Sequence, residues 1–157
     1  MTDWIYLSGN NDKPFILEEH SGYYGFVYLI ENLVNGRKYI GKKFFYRRKI
    51  LPVTKTRKRR KRLLVESDWK DYYGSSDELF KDIEEHGTHK FKRTILHLCK
   101  NKAECAYLEA YEQFVRGVLL SDDYYNGWIS IKVRGSHLKG IDTMDKTNLT
   151  ETEDKTQ

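Results

Sequence analysis

Two short apolar runs flanking an Asn-Gly pair restrict the fold of this chain more than any other feature. The run "GFVYLI" (25–30) is β-branched, aromatic and continuous, as a buried strand is. "ENLVNGRK" follows, with Asn35-Gly36 as a hairpin signal, and "RKYIG" reads as the return strand. A two-residue loop at 35–36 sets Tyr39 opposite Asn32, and a loop at 32–35 sets it opposite Tyr28. In both registers Tyr28 and Tyr39 share one sheet face, because side chains alternate with period 2. Only the second brings the rings together. Such a cross-strand aromatic pair can serve packing alone or line a site.

The stretch after this hairpin is the most basic in the molecule. From Lys42 to Arg62 there are twelve Lys/Arg and no Asp or Glu, whereas the remaining residues carry 16 basic and 23 acidic side chains. One segment therefore makes the protein basic, with a net charge of +5. The run "KTRKRRKR" repels itself without a counter-charge, and a polyanion is the economical partner. Lys42, Lys43, Lys49, Lys55, Arg57, Lys58, Arg59, Arg60, Lys61 and Arg62 are the expected nucleic-acid contacts. Nothing in the segment forms an amphipathic face for a membrane, so nucleic acid is the expected partner and a membrane is not. A nuclear-localisation role is open to such a run as well.

A chain of 157 residues predicts one domain, or one domain with a tail, and buries roughly 68–70% of its unfolded surface without staples. The opening "MTDWIYLSGNND" lacks a basic-then-apolar signal pattern, and no apolar run approaches the ~18 residues of a membrane span. An intracellular, soluble protein is expected, with Cys99 and Cys105 as free thiols. Residues 1–22 read as an N-terminal extension with short strands at "WIYL" and "PFIL". The domain is expected over 23–140, with 42–62 as a basic insertion, and 42–74 reads as a helix start, a basic loop around Pro52 and "DWKDYYG". Ser75 and Glu78 form a capping box for a helix with Leu79, Phe80 and Ile83 on its apolar stripe, ended by Gly87. "HKFKRTILHLC" predicts a third strand, and Asn101 with Glu104 opens a second helix over about 102–119. "WISIKV" is a further candidate strand, and 141–157 reads as a disordered acidic tail.

The second helix holds the candidate carboxylates. With Tyr107, Tyr111, Phe114, Val115 and Val118 taken as its buried face, Glu109 points to solvent, Glu104 is explained by capping, and Glu112 sits at the border, where it can lean over a sheet edge into a cleft. His86 and His89 with the two cysteines match no strong zinc spacing, and no Walker loop or Gly-x-Ser-x-Gly is present.

"G-F-V-Y" with "Y-I-G" ten residues further on resembles the signature of the GIY-YIG nuclease superfamily, with one extra residue in the first motif. "YYGSS", a helix, "HG" and "FKRTIL", then "EQFV" and "YYN", resemble the middle and end of its phage-type, homing-endonuclease-like members, in the same order. The resemblance implies an α/β (α+β) fold with a small three-stranded antiparallel sheet flanked by helices. It also implies divalent-metal-dependent hydrolysis of DNA phosphodiesters, with double-stranded DNA as partner, and a phage source, hence the cytoplasm of a bacterial host. Under it Tyr28 and Tyr39 position or deprotonate the attacking water, Glu112 binds Mg²⁺ (or Mn²⁺), and Asn126 supports the metal site or the sheet end. Arg47, Arg48 and Lys49 compete for the family arginine. The family histidine has no counterpart between His20 and His86, and Lys43, Tyr46, Tyr72 and Tyr73 are the residues available to replace it. A non-catalytic nucleic-acid-binding module, or an accessory protein using the basic run alone, would not need Glu112.

Overall fold

A computed structural model describes residues 3–8 and 11–141. The acidic tail, from residue 142, lies outside the described residues. Strands β1 (Trp4–Ser8), β2 (Asn11–Pro14), β3 (Gly25–Asn32) and β4 (Lys38–Phe44) are followed by β5 (Tyr46–Leu51) and β6 (Lys61–Glu66). Helix α1 (Asp77–His86), strand β7 (Phe91–Cys99) and helix α2 (Lys102–Val115) complete the chain. The main sheet has five strands in the order β2-β1-β7-β3-β4, not three, and β1 runs parallel to β7. The boundary expected at residue 23 thus falls inside one sheet. The second N-terminal strand is Asn11–Pro14 rather than "PFIL", and "WISIKV" forms no strand.

The hairpin register differs from both expected loops yet keeps their parity. Tyr28 faces Gly41 and Ile30 faces Tyr39, so the turn spans 33–36. Phe26, Tyr28 and Ile30 pack on one face with Trp4, Phe45, Trp69 and Leu79. Val27, Leu29 and Ile40 pack on the other, under α2, with Cys99, Cys105 and Leu108. A bulge where β3 meets β7 puts Leu96 and His97 both on the α2 side.

Helix α1 begins one residue later than expected, at N-cap Ser76, whose hydroxyl accepts from the Leu79 amide at 3.4 Å. It ends at Gly87, whose φ of 82° favours glycine. Leu79 is buried but Phe80 is 42% exposed. Helix α2 starts where expected, with Asn101 Oδ1 accepting from the Glu104 amide at 2.9 Å, and stops at Val115 rather than 119. The expected helix start after "YIG" does not form, because β4 continues to Phe44 and the basic segment then folds as the separate ribbon β5–β6. Among the described residues no helix is long and apolar enough to cross a membrane.

Helix α2 buries a different side from the one expected from its sequence. Phe114 is 65% and Val115 58% exposed, and Tyr107 also faces solvent. The sheet side carries Glu104, Cys105, Leu108 and Gln113 instead. Its polar members bond to backbone outside the helix: Glu104 Oε2 accepts from the Lys100 amide (2.7 Å), while Glu104 Oε1 is buried without a partner among the described residues, and Gln113 donates to the Ile40 carbonyl (3.2 Å). Leu108→Ala is expected to lower unfolding free energy by about 2–5 kcal/mol. Phe114→Ala should stay within about 0.5 kcal/mol. Denaturant titration followed by circular dichroism measures both, and the reverse ranking would restore the face read from the sequence.

Candidate active site

Strand β4 is the outer strand of the sheet, and a cleft of about 690 Å³ lies along its free edge. Residues from both sheet faces reach it. Tyr28, Tyr39, Lys43 and Tyr72 line it from one face, and Lys42, Glu109 and Gln113 from the other. Ser75 and Ser76 precede α1 at its rim, and Asn126 closes it from the C-terminal segment.

The absence of a side chain at Gly41 allows this convergence. Tyr28 lies directly opposite, and a Cβ at position 41 would overlap the Tyr28 hydroxyl and come within 2.6 Å of ring carbon Cζ. The Tyr28 ring therefore crosses over the β4 backbone. The ring itself is almost fully buried, edge-on to Tyr72 and 6.2 Å from Tyr39 between centroids. The Tyr39 hydroxyl bonds Ser75 Oγ at 3.0 Å.

Burial is the first reason the Tyr28 hydroxyl titrates well above an ordinary phenol, and the neighbouring Tyr72 and Tyr39 hydroxyls reinforce it. Burial raises Tyr39 as well, against a hydrogen bond from Ser75 that lowers it. Both are neutral phenols at neutral pH. Burial also raises Glu109, and Lys42, whose Nζ lies 2.6 Å from Glu109 Oε2, offsets part of that rise. Lys43 bonds Asp68 at 2.6 Å and sits 3.9 Å over the Tyr72 ring.

Asn126 acts on the strand edge. Its Oδ1 accepts from the Ile40 amide at 3.0 Å and its Nδ2 donates to the Ile40 carbonyl at 2.8 Å. The adjoining chain continues this pairing: the Lys38 amide donates to Asp123 and the Tyr125 amide to Lys38, each at 2.8 Å. These bonds occupy backbone groups that an edge strand would otherwise leave open.

Of the residues singled out in the sequence, Tyr28, Tyr39, Lys42, Lys43 and Asn126 come together at the cleft. Glu112 does not. Its Oε1 lies 2.7 Å from His97 Nε2 and its Oε2 accepts from Arg116 Nε at 2.8 Å. Burial works to raise Glu112, but the bonds from His97 and Arg116 outweigh it and hold the carboxyl below the usual range. Arg47, Arg48 and Lys49 lie on the exposed strand β5, away from the cleft, so the cations present are Lys42 and Lys43. Lys55, Lys58, Arg59, Arg60, Lys61 and Arg62 are exposed on the ribbon and its loop, while Arg57 closes that loop by donating to the Pro52 carbonyl at 2.9 Å. Sequence reasoning missed Glu109. The spacing Cys105–Leu108–Glu109–Gln113 would have shown it on one helix face had the larger aromatics not been taken as the buried ones.

Two tyrosines on facing hairpin strands, a helix-borne glutamate and an asparagine on the strand edge, in one cleft, agree with the nuclease class that the sequence resembles. The chain belongs to the family described as "Putative endonuclease segE, GIY-YIG domain", which matches residues 4–129. It is 33% identical over 104 residues to a protein of Enterobacteria phage T4 bearing the same endonuclease segE name. That match takes in 66% of this chain and 40% of the phage protein, so the chain spans less than half of that relative's length. No solved structure matches the chain.

The two glutamates should separate in stability measurements. Glu112 has a depressed carboxyl, so its stabilisation is complete above the unfolded value of about 4.3 and is lost as pH falls through the lower folded value. Glu112→Gln is expected to cost about 1–3 kcal/mol near neutral pH, with the difference from the parent vanishing in acid. Glu109→Gln should change stability by less than about 0.5 kcal/mol, since burial already disfavours its charge. Urea titrations at pH 7 and below pH 4 measure both.

Proposed function

We infer that the chain is a divalent-metal-dependent endonuclease that hydrolyses DNA phosphodiesters at the β4 edge, in the manner of the phage homing endonucleases its sequence resembles. The observation that carries this reading is the meeting of Tyr28, Tyr39 and Glu109 in one open cleft beside two lysines. Double-stranded DNA is the proposed substrate, and the cytoplasm of a bacterial host the proposed setting.

The donor set suits a small hard cation. Two carboxylates, Glu109 and at the rim Asp77, line the open cleft, and with hydroxyl-bearing neighbours and no thiolate or imidazole in the lining they match Mg²⁺ or Mn²⁺, which bind through one or two carboxylates plus water and phosphate oxygens. Glu109, rather than Glu112, would hold it. When bound, such a cation supplies charge neutralisation at the phosphoryl group.

The chain's own groups account for the remaining requirements. Lys42 and Lys43 attract the phosphate, and Lys42 can exchange its bond to Glu109 for one to a phosphate oxygen. The Tyr28 and Tyr39 hydroxyls orient the attacking water. As neutral phenols in the free protein they donate or accept hydrogen bonds, and loss of a proton from either would require positive charge close to its hydroxyl. Asn126 takes no part in proton transfer: with both amide groups on Ile40 it fixes the strand that carries Tyr39 and Gly41.

Single-turnover cleavage of supercoiled plasmid tests the assignment. Glu109→Gln should abolish cutting while duplex affinity is retained, and EDTA should abolish it in the parent. Tyr28→Phe keeps the ring and should slow the reaction about 10²–10⁴-fold, the span of general-base catalysis. Because Glu109 must lose its proton to hold a cation and burial raises its pKa in the free protein, the cation concentration needed for cutting should rise on acidification at a pH above the ordinary glutamate range. Parental cutting by Glu109→Gln would overturn the Glu109 assignment, undiminished cutting in EDTA would favour a metal-free mechanism, and absence of cutting by the parent would favour a non-catalytic binding module.

A further inference from the structure

The ribbon β5–β6 takes no part in this chemistry. It forms a sheet of its own, and an isolated two-stranded ribbon is marginal in water. Its register pairs Arg48 with Leu64 and Ile50 with Arg62, all four on one face. That face is open to solvent, with Ile50 56% and Leu64 58% exposed. Guanidinium and aliphatic side chains thus alternate across it, in a segment with no carboxylate between residues 42 and 62.

The root of the ribbon is held beside the cleft. Phe45, between β4 and β5, is fully buried. On the return strand the Ser67 amide donates to the Phe45 carbonyl at 2.8 Å, and Ser67 Oγ donates to the Phe44 carbonyl at 2.6 Å. Lys43 and Phe44 themselves line the cleft. The ribbon extends about 20 Å from this root, at ~3.4 Å per residue.

We propose that the ribbon enters the major groove of double-stranded DNA and presents Arg48, Ile50, Arg62 and Leu64 to the base edges, next to the phosphate bound in the cleft. The proposal rests on the endonuclease reading for what the cleft binds, and adds where the duplex is read. Two strands lie ~4.8 Å apart and, with side chains, match a groove about 12 Å wide; a minor groove of about 6 Å is too narrow. An RNA duplex is a poorer fit because its major groove is deep and narrow. Arginine paired to guanine O6 and N7, and aliphatic groups against thymine methyls, are what such a face offers. A polyanion that bound through phosphates alone would leave Ile50 and Leu64 without a role.

Fluorescence anisotropy with the full chain carrying Glu109→Gln and a mixed-sequence 40-base-pair duplex tests this. Methyl green, a major-groove ligand, should displace the protein and netropsin, a minor-groove ligand, should not. Arg48→Ala with Arg62→Ala should weaken binding roughly tenfold or more while circular dichroism is unchanged. Displacement by netropsin alone, by neither ligand, or equal affinity for a single strand of the same sequence would overturn the proposal. The competition needs no ribbon variant, so it decides the matter even if that double variant fails to fold. Plasmid cutting by the unsubstituted chain is scored separately: a chain that binds through the major groove but never cuts sinks the endonuclease reading alone.

Discussion

The passage of the Tyr28 ring over Gly41 is the contact on which the site depends. It brings a hydroxyl rooted in the core of one sheet face to the free edge of β4. Any side chain at position 41 would occupy that path. The edge must also stay straight and unpaired with other chains, and Asn126 and the 123–125 segment secure this by bonding the backbone of Lys38 and Ile40. A site at the rim of a sheet can draw groups from both faces. Here one face supplies phenols and an ammonium, and the other a carboxylate and a second ammonium.

Helix α2 reverses the usual economy of a surface helix. It turns polar groups toward the sheet and leaves Phe114 and Val115 in solvent. Each inward glutamate has its own partner: Lys100 for Glu104, Lys42 for Glu109, and His97 with Arg116 for Glu112. These partnerships divide the carboxylates by environment. Glu112 is locked by two bonds, which pull its pKa down, and it ties α2 to β7. Glu109 is held by one flexible lysine, and burial pushes its pKa up. A group that is costly to keep charged and singly restrained is available to a cation; a doubly bonded one is not.

The hairpin was legible in the sequence because side-chain parity survives an error in loop length: neither expected turn formed, yet Tyr28 and Tyr39 share a face. Ser76, Gly87 and Asn101 were within a residue of their expected roles because capping is local chemistry. What could not be read was set by distant partners. The parallel pairing of β1 with β7 joins segments about 90 residues apart and widens the sheet to five strands. The ribbon was hidden because its strands carry charges instead of alternating apolar residues. The inward face of α2 was misread because hydrophobic periodicity ranks Phe114 above Gln113, and only the Ile40 carbonyl and Lys42 explain why polar residues lie inside.

The proposed placement of the cation at Glu109 and not at Glu112 is open to direct measurement. Substoichiometric Mn²⁺ added to ¹⁵N-labelled protein broadens the amide signals of residues close to the bound ion. With the ion at Glu109, Gly41, Glu109, Gln113 and Gly127, at the cleft, broaden first, with His97 and Arg116 sharp until later. Broadening centred on His97, Glu112 and Arg116 would contradict it.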